Sequence, residues 1–144
     1  MPVIEGQLTD RRLILPLAIA PSTPTEAPPH FPARFEQCNG LVDTGATRSA
    51  VSARLVHLLD LPVVGKRAIA SARSENMHNL HLIRMGLYLP TNNGAPTYPY
   101  FLDGIFEVID WADHPWFDVL IGMDVVSLCN LTLRRTGTFS LDLP

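Results

Sequence analysis

The chain has 144 residues, of which 47% are hydrophobic and 17% charged, with a net charge of -3. That is one domain of ordinary size with enough apolar material for a core, which argues against disorder. The basic residues are scattered rather than gathered into the stripe that nucleic-acid binding needs, and no apolar run approaches the length of a membrane span.

Thirteen prolines and nine glycines point to many turns and few long helices. Leu13 to Ala20 follows Arg11-Arg12 and resembles the charged and apolar regions of a signal peptide. Glu5 and Asp10 precede it and Pro16 interrupts it, so it reads instead as the first strand. Residues 21–33 form a proline-rich loop, with five prolines between Pro21 and Pro32. Arg34 to Asn39 is expected as a second strand, leading through Gly40 and Leu41-Val42 into Asp43-Thr44-Gly45. Val51, Leu55, Leu58 and Leu59 are spaced for a short amphipathic helix within Ser49 to Leu59. Ser49 or Ser52 is its cap, and Pro62 lies beyond its end.

From about 66 to 89 the pattern suggests a hairpin, with a polar tip in the region of Ser71 to Asn79 and a second arm from Leu80 to Leu89. Asn93-Gly94 marks a turn, and Tyr100 to Ile109 reads as a strand. Phe117 to Ile121 reads as a short buried strand ending at Gly122, and Asp124 to Leu128 as a single helical turn. Leu131 to Leu133 and Thr138 to Leu141, on either side of Arg134-Arg135-Thr136-Gly137, form a closing hairpin. Short strands with turns every ten or so residues predict an all-β domain spanning residues 1–144, with one or two short helices and no second domain.

An isolated Asp-x-Gly is ordinarily a turn. Here two apolar residues deliver the chain to Asp43 from a buried strand, so its carboxylate stands at the edge of a core and needs hydrogen-bond partners. Gly45 allows the backbone to turn with its N–H free to meet an oxygen. Thr44 adds a short hydroxyl, and Ala46 keeps the loop small.

Leu41-Val42-Asp43-Thr44-Gly45-Ala46-Thr47 resembles the active-site loop of retropepsin-like aspartic proteases. Phe117-Asp118-Val119-Leu120-Ile121-Gly122-Met123-Asp124 resembles the second motif of that family, in which a hydrophobic strand ending in Ile-Gly passes beneath the loop. The Gly-Met-Asp sequence and the helix after the loop look closer to bacterial and cellular members than to viral ones. The resemblance implies a closed acid-protease β barrel working as a homodimer, with one site built from two copies of the loop. It implies an aspartic endopeptidase in which a water is activated between two Asp43 carboxylates. Thr44, Gly45 and Ala46 support the loop, Ile121 and Gly122 support it from below, and Ser71, Ala72, Arg73 and Ser74 form the flap over substrate. The implied partners are a second copy of the chain and a peptide or protein substrate, with no cofactor, metal, nucleic acid or membrane.

Two departures stand out. Viral members pair an Asp two places after the loop glycine with an Arg after the second-motif glycine, where this chain has Thr47 and Met123. The flap of the family is glycine-rich, whereas Ser71 to Asn76 has no glycine. The alternative is therefore a catalytically weak or inactive module of the same fold that binds peptides. Asp-Thr-Gly-Ala-Thr also resembles the phosphate loop of sugar-kinase and actin-like folds, but those are two-domain chains of several hundred residues.

Asp118 and Asp124 are expected to be structural. His78 and His81 are expected as exposed or packed side chains, since zinc needs three or four ligands. Trp111 and Trp116 are expected in core packing rather than on a substrate rim. Cys38 and Cys129 read as buried or half-buried thiols of a reducing compartment, consistent with a cytoplasmic protein.

Overall fold

A computed structural model describes residues 2–23, 31–70, 75–90 and 98–144. The described chain is mostly β, with two short helices. The strands are β1 (Val3–Gln7), β2 (Ile14–Pro21), β3 (Glu36–Val42), β4 (Ala50–Ser52), β5 (Gly65–Ala70), β6 (Glu75–Tyr88), β7 (Pro99–Phe101), β8 (Phe106–Trp111), β9 (Val119–Ile121), β10 (Asn130–Leu133) and β11 (Thr138–Asp142). Helix α1 (Ala53–Leu59) follows β4, and α2 (Met123–Val126) follows β9.

The large sheet has eight strands in the order β2-β3-β9-β4-β8-β6-β5, with β7 added beside β6. Strand β2 also pairs with β6, from Leu17↔Leu87 to Pro21↔Ile83, so the pairings starting at β2 return to β2. The alternation of a half-buried strand is absent from β2. Leu17, Ala18, Ile19 and Ala20 are all buried, as expected of a strand covered on both faces. Pro16 lies one residue before the doubly flanked stretch and is exposed. The core holds Leu17, Ile19, Val51, Leu55, Ile83, Met85 and Val119, among others.

A separate three-stranded sheet has the order β1-β11-β10. Its β10–β11 pair is the closing hairpin expected from sequence. Strand β1 was not expected: Val3-Ile4-Glu5-Gly6-Gln7 buries only Ile4, too little apolar pattern to mark a strand. It forms because β11 offers it an edge from Val3↔Asp142 to Gln7↔Thr138.

Four other boundaries differ from the sequence expectation. Residues Ala50 to Ser52 are a strand rather than the first turn of the helix. Ser52 is the cap of α1, accepting from the Leu55 N–H at 3.2 Å, and Leu55 and Leu59 form its buried side. The polar run Glu75 to Asn79 is strand, not tip, because each of its residues pairs with one in β5, from Ala70↔Glu75 to Lys66↔Asn79. Tyr100 to Ile109 is two strands, broken where Gly104 takes a positive φ of 96°. Strand β9 begins only at Val119, two residues after the expected start at Phe117. The Asn93-Gly94 turn lies outside the described residues.

Candidate active site

Strand β3 runs parallel to β9, with Gly40↔Val119, Leu41↔Leu120 and Val42↔Ile121 in register. A Cβ on Gly40 would collide with the side chains of Leu17 and Ile121, so glycine is what lets the strand lie this close to its neighbours. The backbone hydrogen bonds continue past the strand end. The Val42 N–H donates to Leu13 O at 3.0 Å, and the Asp43 N–H to Ile121 O at 2.9 Å. The Ala46 N–H closes the turn on Asp43 O at 3.1 Å, and the Met123 N–H reaches Ala46 O at 2.8 Å. The Gly45 N–H donates to Asp43 Oδ1 at 2.9 Å. The half-buried carboxylate is therefore oriented by its own loop, while Thr44 and Gly45 stay exposed.

Gly122 is where the two motifs meet. A Cβ there would stand 2.6 Å from Arg48 C, 2.7 Å from Arg48 O and 3.0 Å from Ala46 O. These are backbone atoms of the loop and cannot move aside as a flexible side chain could. The structure thus brings Asp43, Thr44, Gly45 and Ala46 together with Ile121 and Gly122. Residues Ser71 to Ser74, the expected flap tip, lie outside the described residues. The arms on either side of that tip are β5 and β6.

Two polar clusters brace this junction. The Ser49 hydroxyl accepts from the Gly122 N–H at 2.9 Å and donates to Asp124 Oδ1 at 2.8 Å. The Ser49 N–H reaches Asp124 Oδ2 at 3.1 Å. Ser49 is fully buried, so Asp124 satisfies polar groups that would otherwise be stranded. Asp118 similarly accepts from the Ser52 hydroxyl at 2.9 Å and from both Nε and Nη2 of Arg54, at 3.0 and 2.6 Å. The pair pushes the Arg54 guanidinium above its ordinary value, chiefly through the hydrogen bond to Asp118. The sequence placed Asp118 and Asp124 only as structural. Ser49 was read as a helix cap, and its part in the junction carries no local signal.

A cleft of about 560 Å³ is lined by Asp43 of the loop, taken as its floor, by Arg67 to Ala70 of β5 and by Trp111. A smaller cleft of about 210 Å³ also borders Asp43 and is lined by Trp111, Phe117 and Leu120. Trp111 and Trp116 are not core residues: they are 47% and 53% exposed. Trp111 stacks on His78 with ring centroids 5.4 Å apart, and Trp116 lies under the Arg12 guanidinium. His78 points Nδ1 to Asp110 O at 3.0 Å, and buried His81 points Nδ1 to Pro62 O at 3.1 Å. Among the described residues no three potential metal ligands cluster.

Both cysteines are free thiols. Burial, with the negative charge of Asp118 second, pushes Cys38 up to about 12. Burial also raises Cys129. Among the described residues no helix is long and apolar enough to cross a membrane.

No known family model matches the sequence, and no curated protein sequence matches it. Solved structures do. A retropepsin-like aspartic protease from Rickettsia conorii superposes with a TM-score of 0.64 at 12% identity, over 98% of this chain and 90% of the other. The chain has a retropepsin-like fold. The retroviral protease-like domain of Ddi1 from Leishmania major is also similar, with a TM-score of 0.43 and 16% identity over 87% of this chain and 82% of that one. At such identities the likeness concerns the fold, and what the chain does is argued from its residues.

Proposed function

We propose that this retropepsin-like chain is half of an aspartic endopeptidase, completed when two copies bring their Asp43 residues together. The observation that carries the reading is the placement of Asp43. It stands at the end of a core strand and on the floor of a cleft, with its Oδ1 held by the Gly45 N–H. The cyclic pairing of β2, β3, β9, β4, β8 and β6 is read as a closed barrel. The three-stranded sheet is read as the dimer contact, because its outer strands β1 and β10 each have an edge with no partner among the described residues.

In the proposed dimer, two carboxyls about 3 Å apart repel too strongly for both to be ionised, so they share one proton, as aspartic protease dyads do. The ionised Asp43 takes a proton from the water between them. The protonated Asp43 polarises the scissile carbonyl, and a proton is then delivered to the leaving amine. Gly45 fixes the carboxylate orientation, and Thr44 is assigned to bond its counterpart across the two-fold axis. The chemistry requires carboxyl groups and water, and calls on no cofactor.

Light scattering during size exclusion measures the mass, and a peptide library from pH 3 to 7 measures cleavage by the chain and by Asp43→Ala. The expected result is a dimer whose cleavage falls on the order of 10²–10⁴-fold in the variant. Equal cleavage by both would overturn the proposal. Peptide binding without cleavage by either would favour the alternative of an inactive peptide-binding module.

A further inference from the structure

The larger cleft has three charged residues in its lining: Asp43, Arg48 and Arg67. Their electrostatic situations differ. Arg48 directs its Nη1 to Glu107 Oε1 on β8, so an acid of the protein already balances it. Arg67 lies on β5, exposed, with no hydrogen bond or ion pair among the described residues. Its cross-strand partner on β6 is His78, which is engaged with Trp111 and with Asp110 O. Ala68 and Ala70, farther along the same strand, are too small to shield a guanidinium. The acid at the end of the hairpin, Glu75, pairs with Ala70, which puts it three residues from Arg67, about 10 Å along the strand.

We propose that Arg67 selects substrates that bring an acidic side chain into the cleft. The inference rests on reading the cleft as a peptide-binding site. A carboxylate is the group that best satisfies a guanidinium with no partner of its own, since the planar fork of N–H donors matches its two oxygens. The cleft also excludes part of the surrounding water, so the pair is screened less than on an open surface. In a two-fold dimer Arg67 occurs twice, once on each side of the scissile bond. The preference for Asp or Glu is therefore expected on both the amino and the carboxyl side of the cut.

The test uses the full chain and matched fluorogenic peptides in which each position in turn is Glu, Gln or Lys. Cleavage is read as kcat/KM, and binding to Asp43→Asn is read by fluorescence anisotropy. At one or more positions Glu is expected to exceed Gln by about tenfold, the effect of one charge-assisted hydrogen bond, and the excess is expected to shrink at high salt. Arg67→Gln should bring the ratio close to one, and Arg67→Glu should turn the preference toward Lys. Circular dichroism confirms that both variants are folded. Cleavage with no Glu preference, or with a preference that Arg67→Gln leaves intact, overturns the inference and spares the peptidase reading. A Glu preference in binding without cleavage supports the inference and overturns the peptidase reading. Absence of both binding and cleavage overturns both.

Discussion

Around Asp43 the backbone is hydrogen-bonded from several directions, whereas among the described residues β5 is paired along one edge. Leu13, Ile121 and Ala46 each accept a backbone hydrogen bond at or beside the loop, and Gly122 presses against the Arg48 carbonyl from below. Among the described residues β5 is the last strand in its sheet and pairs only with β6, and Lys66, Arg67, Ala68 and Ala70 are exposed. The floor of the cleft therefore has its geometry fixed by backbone contacts that tolerate little change. The β5 side, taken as the roof, is a ribbon whose exposed Arg67, Ala68 and Ala70 line the cleft. A site that must hold a carboxylate in one orientation and also admit a long substrate benefits from this division.

The comparison is sharpest at Gly122. Gly122→Ala places a Cβ against loop backbone, and its expected cost is about 2–3 kcal/mol in urea unfolding, with loss of any activity that depends on Asp43. A fully stable variant would mean that the floor yields more than its contacts suggest. Asp124→Ala follows, at about 2 kcal/mol, because it leaves the buried hydroxyl and N–H of Ser49 without their acceptor. Introducing Ser49→Ala into the same chain should not recover that loss, since it also takes the acceptor from the buried Gly122 N–H.

A third test uses Cys38, which lies on β3 behind the loop. Its pKa is raised to about 12 in the folded chain, against 9.0 for an unperturbed thiol. The folded state thus holds the thiol proton more tightly, so this stabilisation is complete below pH 9 and is lost as the pH rises toward 12. Stability should fall along that alkaline limb, and Cys38→Ala should flatten part of the fall. Thiol labelling of the native protein at Cys38 should stay slow up to pH 9. Rapid labelling would show a floor that opens. The smallest effect is expected in the roof: Lys66→Ala, exposed on β5, should change stability by less than about 0.5 kcal/mol. A larger change would show that β5 is braced by more than β6.

Much of the architecture was legible because its signals are local. The short strands, the turn at Gly137, a helix cap at Ser49 or Ser52 and the closing hairpin each follow from neighbouring residues. Apart from the break at Gly104, boundaries shifted where partners elsewhere in the chain intervened. Glu75 to Asn79 is polar and looks like a tip, yet the backbone of β5 makes it a strand. Val3 to Gln7 is nearly featureless, yet the edge of β11 recruits it. Trp111 and Trp116 looked like core material by type alone, but both stand at the surface, Trp111 in the lining of both clefts.

By itself the sequence determined a mostly β fold class and the delivery of Asp43 to a tight turn, because an apolar strand running into an acid and a glycine is written in consecutive residues; the meeting of that loop with Ile121-Gly122 was implied only by the family resemblance. Only the tertiary structure decided what surrounds that acid. Ser49 meets Asp124 across 75 positions of sequence, and Arg54 meets Asp118 across 64. Arg67 shares the cleft lining with Asp43 because of the way β5 folds back along β6. Contacts between single polar side chains at such separations have no period and no spacing, so they become visible only when the backbone has closed the distance.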